Sequence, residues 1–315
     1  MAQPGNGKVT LVYTHDDFLH HLNPPDHPEQ VARLAAVAAG LTGLDLDYRA
    51  APLALDADIL RCHPERYLAR VRNASPAQGW VQLDGDTYLS HGSVTAALRA
   101  VGGACAAVDA VLAAKASTAF LAARPPGHHA ETETAMGFCI FGTVAIAAKR
   151  ALDHHGLSRV AIVDFDVHHG NGTQDLLWDE PRCLFASSHQ MPLYPGSGHP
   201  SETGAHGQII NVPLREGSGG AEMRAGYEAH VFPALAAWRP ELILISAGFD
   251  AHADDPLAGL EWQADDYRWL TGRICDLAAT HAAGRVVSCL EGGYDLPALT
   301  ASVRAHVGAL QERDR

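Results

Sequence analysis

The sequence predicts an α/β fold, with a mainly parallel central sheet flanked by helices on both faces. Three observations predict it. Short apolar runs alternate along the chain with longer helical patterns. Several runs are almost continuously apolar, as strands of a parallel sheet covered on both faces must be. Five of them are followed directly by polar, titratable or glycine-rich residues, as happens where ligands bind outside the carboxyl ends of strands.

The strand-like runs are 9–13, 119–121, 160–163, 183–186, 242–246 and 286–290. They are rich in β-branched residues: 160–163 reads Val-Ala-Ile-Val and 286–290 reads Val-Val-Ser-Cys-Leu. Helical patterns occupy 28–39, 93–114, 143–155, 221–238, 264–283 and 296–311. A length of 315 residues suits one large or two ordinary domains. No repeat, low-complexity linker or composition break divides the chain, so a single domain over residues 1–315 is expected.

With 47% hydrophobic and 19% charged residues the composition is that of a folding chain. Its 23 Lys and Arg against 36 Asp and Glu leave a formal charge of −13. An acidic balance argues against binding a phosphate backbone and is compatible with a cationic substrate. Residues 1–8 contain no apolar leader core. The apolar stretch 101–123 is broken by Asp109 and Lys115 and falls short of a membrane span. The six cysteines include no Cys-x-x-Cys pair, which makes a thiolate zinc knuckle or a disulfide framework unexpected. A cytoplasmic protein, bound to neither nucleic acid nor membrane, is expected; the sequence leaves its homo-oligomeric state open.

The 19 histidines include the adjacent pairs His20-His21, His128-His129, His154-His155 and His168-His169. Two of these pairs follow predicted strands. After 160–163 comes Asp164-Phe-Asp166-Val-His168-His169-Gly-Asn171-Gly. In extended backbone, residues two apart point the same way, so Asp164, Asp166 and His168 could share a face. One imidazole and two carboxylates with an open position is a catalytic zinc pattern. Asp250, in Ala-Gly-Phe-Asp after 242–246, is the best-placed acid for a third ligand from elsewhere. The plainer alternative is that Asp164 or Asp166 caps the next helix. His128-His129, behind Arg-Pro-Pro-Gly, suits proton transfer near neutral pH. Tyr294, on the Gly-Gly turn after 286–290, can reach a developing oxyanion or else pack as a strand-end aromatic. His20-His21 either lines an entrance or is simply solvated.

Taken in order, Arg-Pro-Pro-Gly-His-His-Ala, Gly-Phe-Cys, Asp-x-Asp-x-His-His-Gly-Asn-Gly-Thr-Gln, Ala-Gly-Phe-Asp and Glu-Gly-Gly-Tyr resemble the zinc-dependent histone deacetylase family. The resemblance extends to its bacterial acetylpolyamine amidohydrolases and acetoin-utilisation proteins. It runs from about Tyr13 to Tyr294, with Tyr-Pro-Gly at 194–196 and Asp255-Pro256 adding to it. It implies the arginase/deacetylase fold and one Zn2+ per chain held by Asp166, His168 and Asp250. His129 is then the base, His128 its electrostatic partner bonded to Asp164, and Tyr294 the oxyanion donor. Phe138 and Tyr194 would wall a tunnel for an acyl-lysine stem. The Gly137 carbonyl would accept the substrate amide N–H, and Asp86 would grip the substrate backbone at the rim. Ser187 and Ser188, with Asp164, Asp166 and His168, would hold a structural K+.

The chain departs from the family pattern at three places. Phe141-Gly142-Thr143 replaces an Asn-containing segment, and Thr143 can cap the following helix. Asn171 stands where class I members carry an aspartate, so His129 should hold a proton less firmly. Leu257, after Asp-Pro, stands where the polyamine-specific branch has an acid. The expected substrate is therefore ε-N-acetyl-lysine in a protein or peptide, with acetylated polyamine as the alternative. An arginase-like binuclear manganese hydrolase would need more carboxylates than Asp164, Asp166 and Asp250 supply. A non-catalytic acetyl-lysine-binding module would not need His128, His129, Asp166, His168, Asp250 and Tyr294 together.

Overall fold

The computed structural model describes residues 9–313, so the reading of residues 1–8 lies outside the described residues. Its strands are β1 (Thr10–Thr14), β2 (Leu46–Ala50), β3 (Val81–Gln82), β4 (Tyr88–Leu89), β5 (Thr118–Leu121), β6 (Val160–Asp164), β7 (Cys183–Gln190), β8 (Ile209–Leu214), β9 (Leu242–Ala247) and β10 (Val286–Leu290). Its helices are α1 (Ala32–Leu41), α2 (Asp56–Ile59), α3 (Glu65–Asn73), α4 (Ser93–Leu112), α5 (Thr143–Asp153), α6 (Asn171–Leu176), α7 (Gly220–Gly226), α8 (Phe232–Trp238), α9 (Ala264–His281) and α10 (Leu296–Arg313). Eight strands pair in parallel in the order β2-β1-β5-β10-β9-β6-β7-β8, and β3 with β4 forms a small antiparallel hairpin.

Both faces of this sheet are covered, which accounts for the continuous apolar runs. Along β9, Leu242 and Leu244 pack with Val108, Val111, Val144 and Ala148 of α4 and α5. Ile243 and Ile245 point the other way, into a core shared with Val37, Ile274, Leu299 and Val303 of α1, α9 and α10. The period of two thus serves two apolar layers at once.

The structure corrects several sequence expectations. β2 and β8 are additional strands at the two edges, where one side of the strand is unpaired. Pro213 is tolerated in β8 because an edge strand need not donate on both sides. Strand β7 continues through Gln190, so Ser187, Ser188 and His189 lie within it. The predicted helix 221–238 is α7 and α8 joined by one π-helical stretch, Tyr227–Val231, placed just before Pro233. Thr143 does not cap α5: it is the first helical residue, Gly142 is the cap, and the Thr143 hydroxyl donates back to Phe141 O. Helix α4 is long and apolar enough to cross a membrane, against the reading of 101–123, but 67% of its apolar window is buried within the fold.

Beneath the sheet, His306 of α10 is buried against Phe120, Phe165 and Phe249. Thr271 Oγ1 donates to Tyr267 O and therefore accepts from His306 Nδ1–H at 2.6 Å; Ser288 Oγ donates to Nε2 at 2.8 Å. Burial pushes this imidazole down to about 3. The unfolded chain takes up that proton near pH ~6.5 while the folded chain does not. The contribution of His306 is therefore intact above that pH and erodes as pH falls toward 3. His306→Gln should lose less stability than wild type between pH 7 and pH 5 in urea unfolding; equal losses would contradict the assignment.

Candidate active site

The carboxyl ends of β5, β10, β9 and β6 are neighbours in the sheet, so the loops that follow them meet at one place. Asp164 closes β6, and the chain then bends. Asp164 Oδ1 accepts the Asp166 N–H at 3.1 Å, and Asp166 Oδ1 accepts the His168 N–H at 2.9 Å. These bends divide the acids between two tasks. Asp164 Oδ2 turns to His128 Nδ1 (3.0 Å), while Asp166 and His168 turn to Asp250 from the end of β9. The expectation that Asp164 shares a face with Asp166 and His168 is corrected by this turn.

His168 Nδ1 stands 3.2 Å from both Asp166 Oδ1 and Asp250 Oδ2. All three side chains are buried, and their ligand atoms lie within 4.8 Å of one another. A tetrahedral zinc with bonds of about 2.0–2.1 Å has donor–donor edges of roughly 3.3 Å, so this set has the spacing and chemistry of one hard or borderline cation. Two buried carboxylates facing one another also call for a positive partner. The remaining acceptors are already used: Asp250 Oδ1 by Val167 N–H and Asp166 Oδ2 by Gly292 N–H, both at 2.9 Å. Gly292 must be glycine, because a Cβ there would meet Asp250 Oδ2 at 2.2 Å and Asp166 Oδ2 at 2.6 Å.

His128 and His129 follow β5 on the Arg-Pro-Pro-Gly loop, with their rings 4.0 Å apart. Glu291, after β10, holds that loop: its Oε2 accepts Gly127 N–H at 2.6 Å and His128 N–H at 3.2 Å. Burial opposes charge on His128, but Asp166 and Asp164 beside it raise its pKa well above the ordinary value. Burial depresses His129 well below that value, and His128 and His168 add to the effect. His129 Nδ1 lies 2.7 Å from Asn171 Oδ1. The surroundings thus favour the charged form of His128 and the neutral form of His129.

A cavity of about 270 Å³ opens onto this group, lined by Asp86, His129, Gly137, Phe138, His168, Leu193, Tyr194, Leu257 and Tyr294. Eight of these nine were predicted; only Leu193 was not. Phe138 meets Tyr294 edge to face at 5.9 Å, and Tyr194 meets His129 at 5.3 Å. Tyr294 is 8% exposed and Tyr194 40%, so the wall runs from interior to rim. Gly137, at φ 54°, lies against His129, whose ring a Cβ would strike at 2.3 Å. The Gly137 carbonyl already accepts the Cys139 S–H at 3.2 Å, leaving a second lone pair. Asp86 Oδ1 accepts Gly137 N–H at 3.1 Å, so it braces the cavity wall as well as lining it.

Other predicted residues lie elsewhere. Ser187 pairs in register with Asp164, its hydroxyl 3.0 Å from His189 Nδ1; the Ser188 hydroxyl is 2.9 Å from Tyr227 OH. His21 is buried, 2.7 Å from Ser93 Oγ, and His20 lines a separate depression with Trp80 and His91. Sequence reasoning missed Glu29, Arg33 and Arg124, all fully buried. Arg33 donates to Gly293 O at 2.7 Å and to Glu291 O, and Glu29 joins Arg33 to Arg124. It missed Asp255 as well, whose Oδ2 accepts Tyr294 N–H at 2.7 Å and whose Oδ1 accepts Leu257 N–H at 3.0 Å. The available signal was Glu29 and Arg33, four apart, just before and at the start of a helix whose other residues are small and apolar.

The histone deacetylase domain model matches residues 27–310. The chain belongs to the histone deacetylase family. It is 42% identical over 275 residues to the histone deacetylase-like amidohydrolase of Pseudomonas aeruginosa, covering 85% of this chain and 72% of that protein. It is 39% identical over 319 residues to histone deacetylase 10, chloroplastic, of Oryza sativa, covering 93% and 71%. A probable deacetylase of Archaeoglobus fulgidus matches at 38% over 297 residues, covering 91% and 82%. Among solved structures, the HDA15 HD domain superposes with a TM-score of 0.91 at 31% identity, covering 97% of this chain and 90% of that one. The eight-stranded sheet is therefore that of a histone deacetylase fold, and the cavity lies in a hydrolase family.

Asp250→Ala should weaken binding of a divalent metal by at least the roughly 10–100-fold that loss of even an outer partner costs. Metal content after dialysis measures this, and stoichiometric metal on Asp250→Ala would remove Asp250 from the ligand set.

Proposed function

We propose that this family member is a zinc-dependent deacetylase acting on ε-N-acetyl-lysine side chains. The observation that carries the reading is the meeting of Asp166, His168 and Asp250 with His129 and Tyr294 at one cavity walled by Phe138 and Tyr194. Asp166, His168 and Asp250 would hold the zinc, and the chemistry it would supply there is Lewis-acid polarisation of the amide carbonyl and a lowered pKa for water. Phe138 and Tyr194 clasp the apolar lysine stem, which needs walls rather than charges. His129 Nε2 takes a proton from the attacking water as its oxygen bonds to the acetyl carbon. The Tyr294 hydroxyl donates to the oxyanion of the tetrahedral intermediate. When the C–N bond breaks, His129 returns the proton to the lysine nitrogen, leaving acetic acid and the amine, which separate as acetate and lysine ammonium once the carboxyl proton is transferred. Asp166 and Asp164 favour the charged form of His128, which would help the developing negative charge and disfavour a proton on His129.

Ser187 and Ser188, beside the chain that carries Asp164, Asp166 and His168, are proposed to belong to a structural K+ site. Leu257 at the cavity mouth supports lysine over polyamine, because it offers nothing to a distal ammonium.

The deciding experiment is acetate release by zinc-loaded protein from an acetyl-lysine peptide and from an N-acetylpolyamine, each with and without a hydroxamate. Peptide turnover blocked by hydroxamate is expected. Polyamine turnover alone would overturn the substrate assignment and keep the mechanism. His129→Ala and Tyr294→Phe should each lower kcat by about 10² or more with metal retained; wild-type turnover in either would remove that residue from its role. Leu257→Glu should shift relative kcat/KM toward the polyamine, and an unchanged ratio would show that the mouth does not set specificity.

A further inference from the structure

We propose that Glu131 is a positioning residue that sets the tautomer of His129 through the side-chain amide of Asn171; this rests on the reading of His129 as the base. The amide of Asn171 has two ends that look alike in shape but are opposite in hydrogen bonding. Its oxygen faces His129 Nδ1 at 2.7 Å. Its nitrogen faces Glu131 Oε1 at 2.8 Å and Met136 Sδ at 3.3 Å. A carboxylate and a thioether only accept hydrogen bonds, so both neighbours demand the NH2 group on their side. The reverse orientation would set Asn171 Oδ1 against the Glu131 carboxylate, replacing a charge-assisted hydrogen bond with repulsion.

With the amide fixed, its oxygen demands a hydrogen on His129 Nδ1, and Nε2 is left with the lone pair that a base needs. Were the amide reversed, Nδ1 would accept and Nε2 would carry the hydrogen, leaving no base at Nε2. An aspartate at 171 would impose the Nδ1–H tautomer without help, because both its oxygens accept. An asparagine does so only if something orients it, and Glu131 is the charged group that does. Glu131 is itself set by the loop, its backbone N–H donating to Thr134 O at 2.9 Å.

The test is a cycle of Glu131→Lys, Asn171→Asp and the double variant, read by kcat on an acetyl-lysine peptide and by 15N NMR of the labelled His129 ring. Wild type should show hydrogen on Nδ1 and none on Nε2. Glu131→Lys puts donors where the acceptor stood; it should reverse the tautomer and lower kcat roughly tenfold or more, with KM within about twofold. Asn171→Asp alone sets two carboxylates against each other and should also lose activity. The double variant pairs them with opposite charge and should recover the wild-type tautomer and most of kcat. A tautomer unchanged in Glu131→Lys, or an equal fold-loss in both backgrounds, would overturn the proposal. Should Glu131→Lys fail to fold, Glu131→Leu removes the acceptor at similar size and the same ring spectrum decides. Should wild type release no acetate from any substrate, the deacetylase reading falls while the ring spectra still judge the role of Glu131.

Discussion

The carboxylate of Glu29 is completely buried between two guanidinium groups, and the geometry of the catalytic rim depends on it. Arg124 begins the loop that carries His128 and His129. Arg33 reaches across to the carbonyls of Glu291 and Gly293 and stacks over the ring of Tyr294 at 5.0 Å. One carboxylate thereby joins the loop that carries His128 and His129 to the loop that carries Tyr294. Burying three charges is costly in isolation, but here each side-chain nitrogen and oxygen of Glu29, Arg33 and Arg124 has a partner, and removing one member would leave a naked charge in the core. The pairing fixes geometry more than it adds net stability. Two loops that follow different strands are held in a single relative position.

A second constraint is electrostatic. Asp164, Asp166, Asp250 and Glu291 crowd the space behind the cavity, all buried. Such a cluster is tolerable because its oxygens are consumed by backbone N–H groups of Asp166, Val167, His168, Gly127, His128 and Gly292. The loops are tied to the acids by their main chain, so their conformation and the acidity of the site are one property.

Much of this was legible in the sequence because the chemistry is local. Strands β1, β5, β6, β9 and β10 declared themselves through continuous apolar residues, and the functional motifs sit immediately after them. The edges were not legible. β2 reads Leu-Asp-Tyr-Arg-Ala and is largely exposed, while β8 contains Asn211 and Pro213, residues that speak against a strand unless one side is free. The bend after Asp164 was hidden too, since alternation predicts a shared face and only hydrogen bonds from the acids to the next backbone N–H groups break it. The Glu29 network joins residues 95 apart, and Asp255 meets Tyr294 across 39, so neither leaves a trace in local spacing.

Gly292 shows what such packing means for inheritance. The residue ligates nothing and carries no functional group, yet any side chain would push on the oxygens of Asp166 and Asp250 together. A substitution there is chemically equivalent to damaging two of the three residues of the candidate metal site at once. The position belongs to the candidate metal site by exclusion: the volume left empty by one hydrogen atom is as much a part of it as the oxygens it admits.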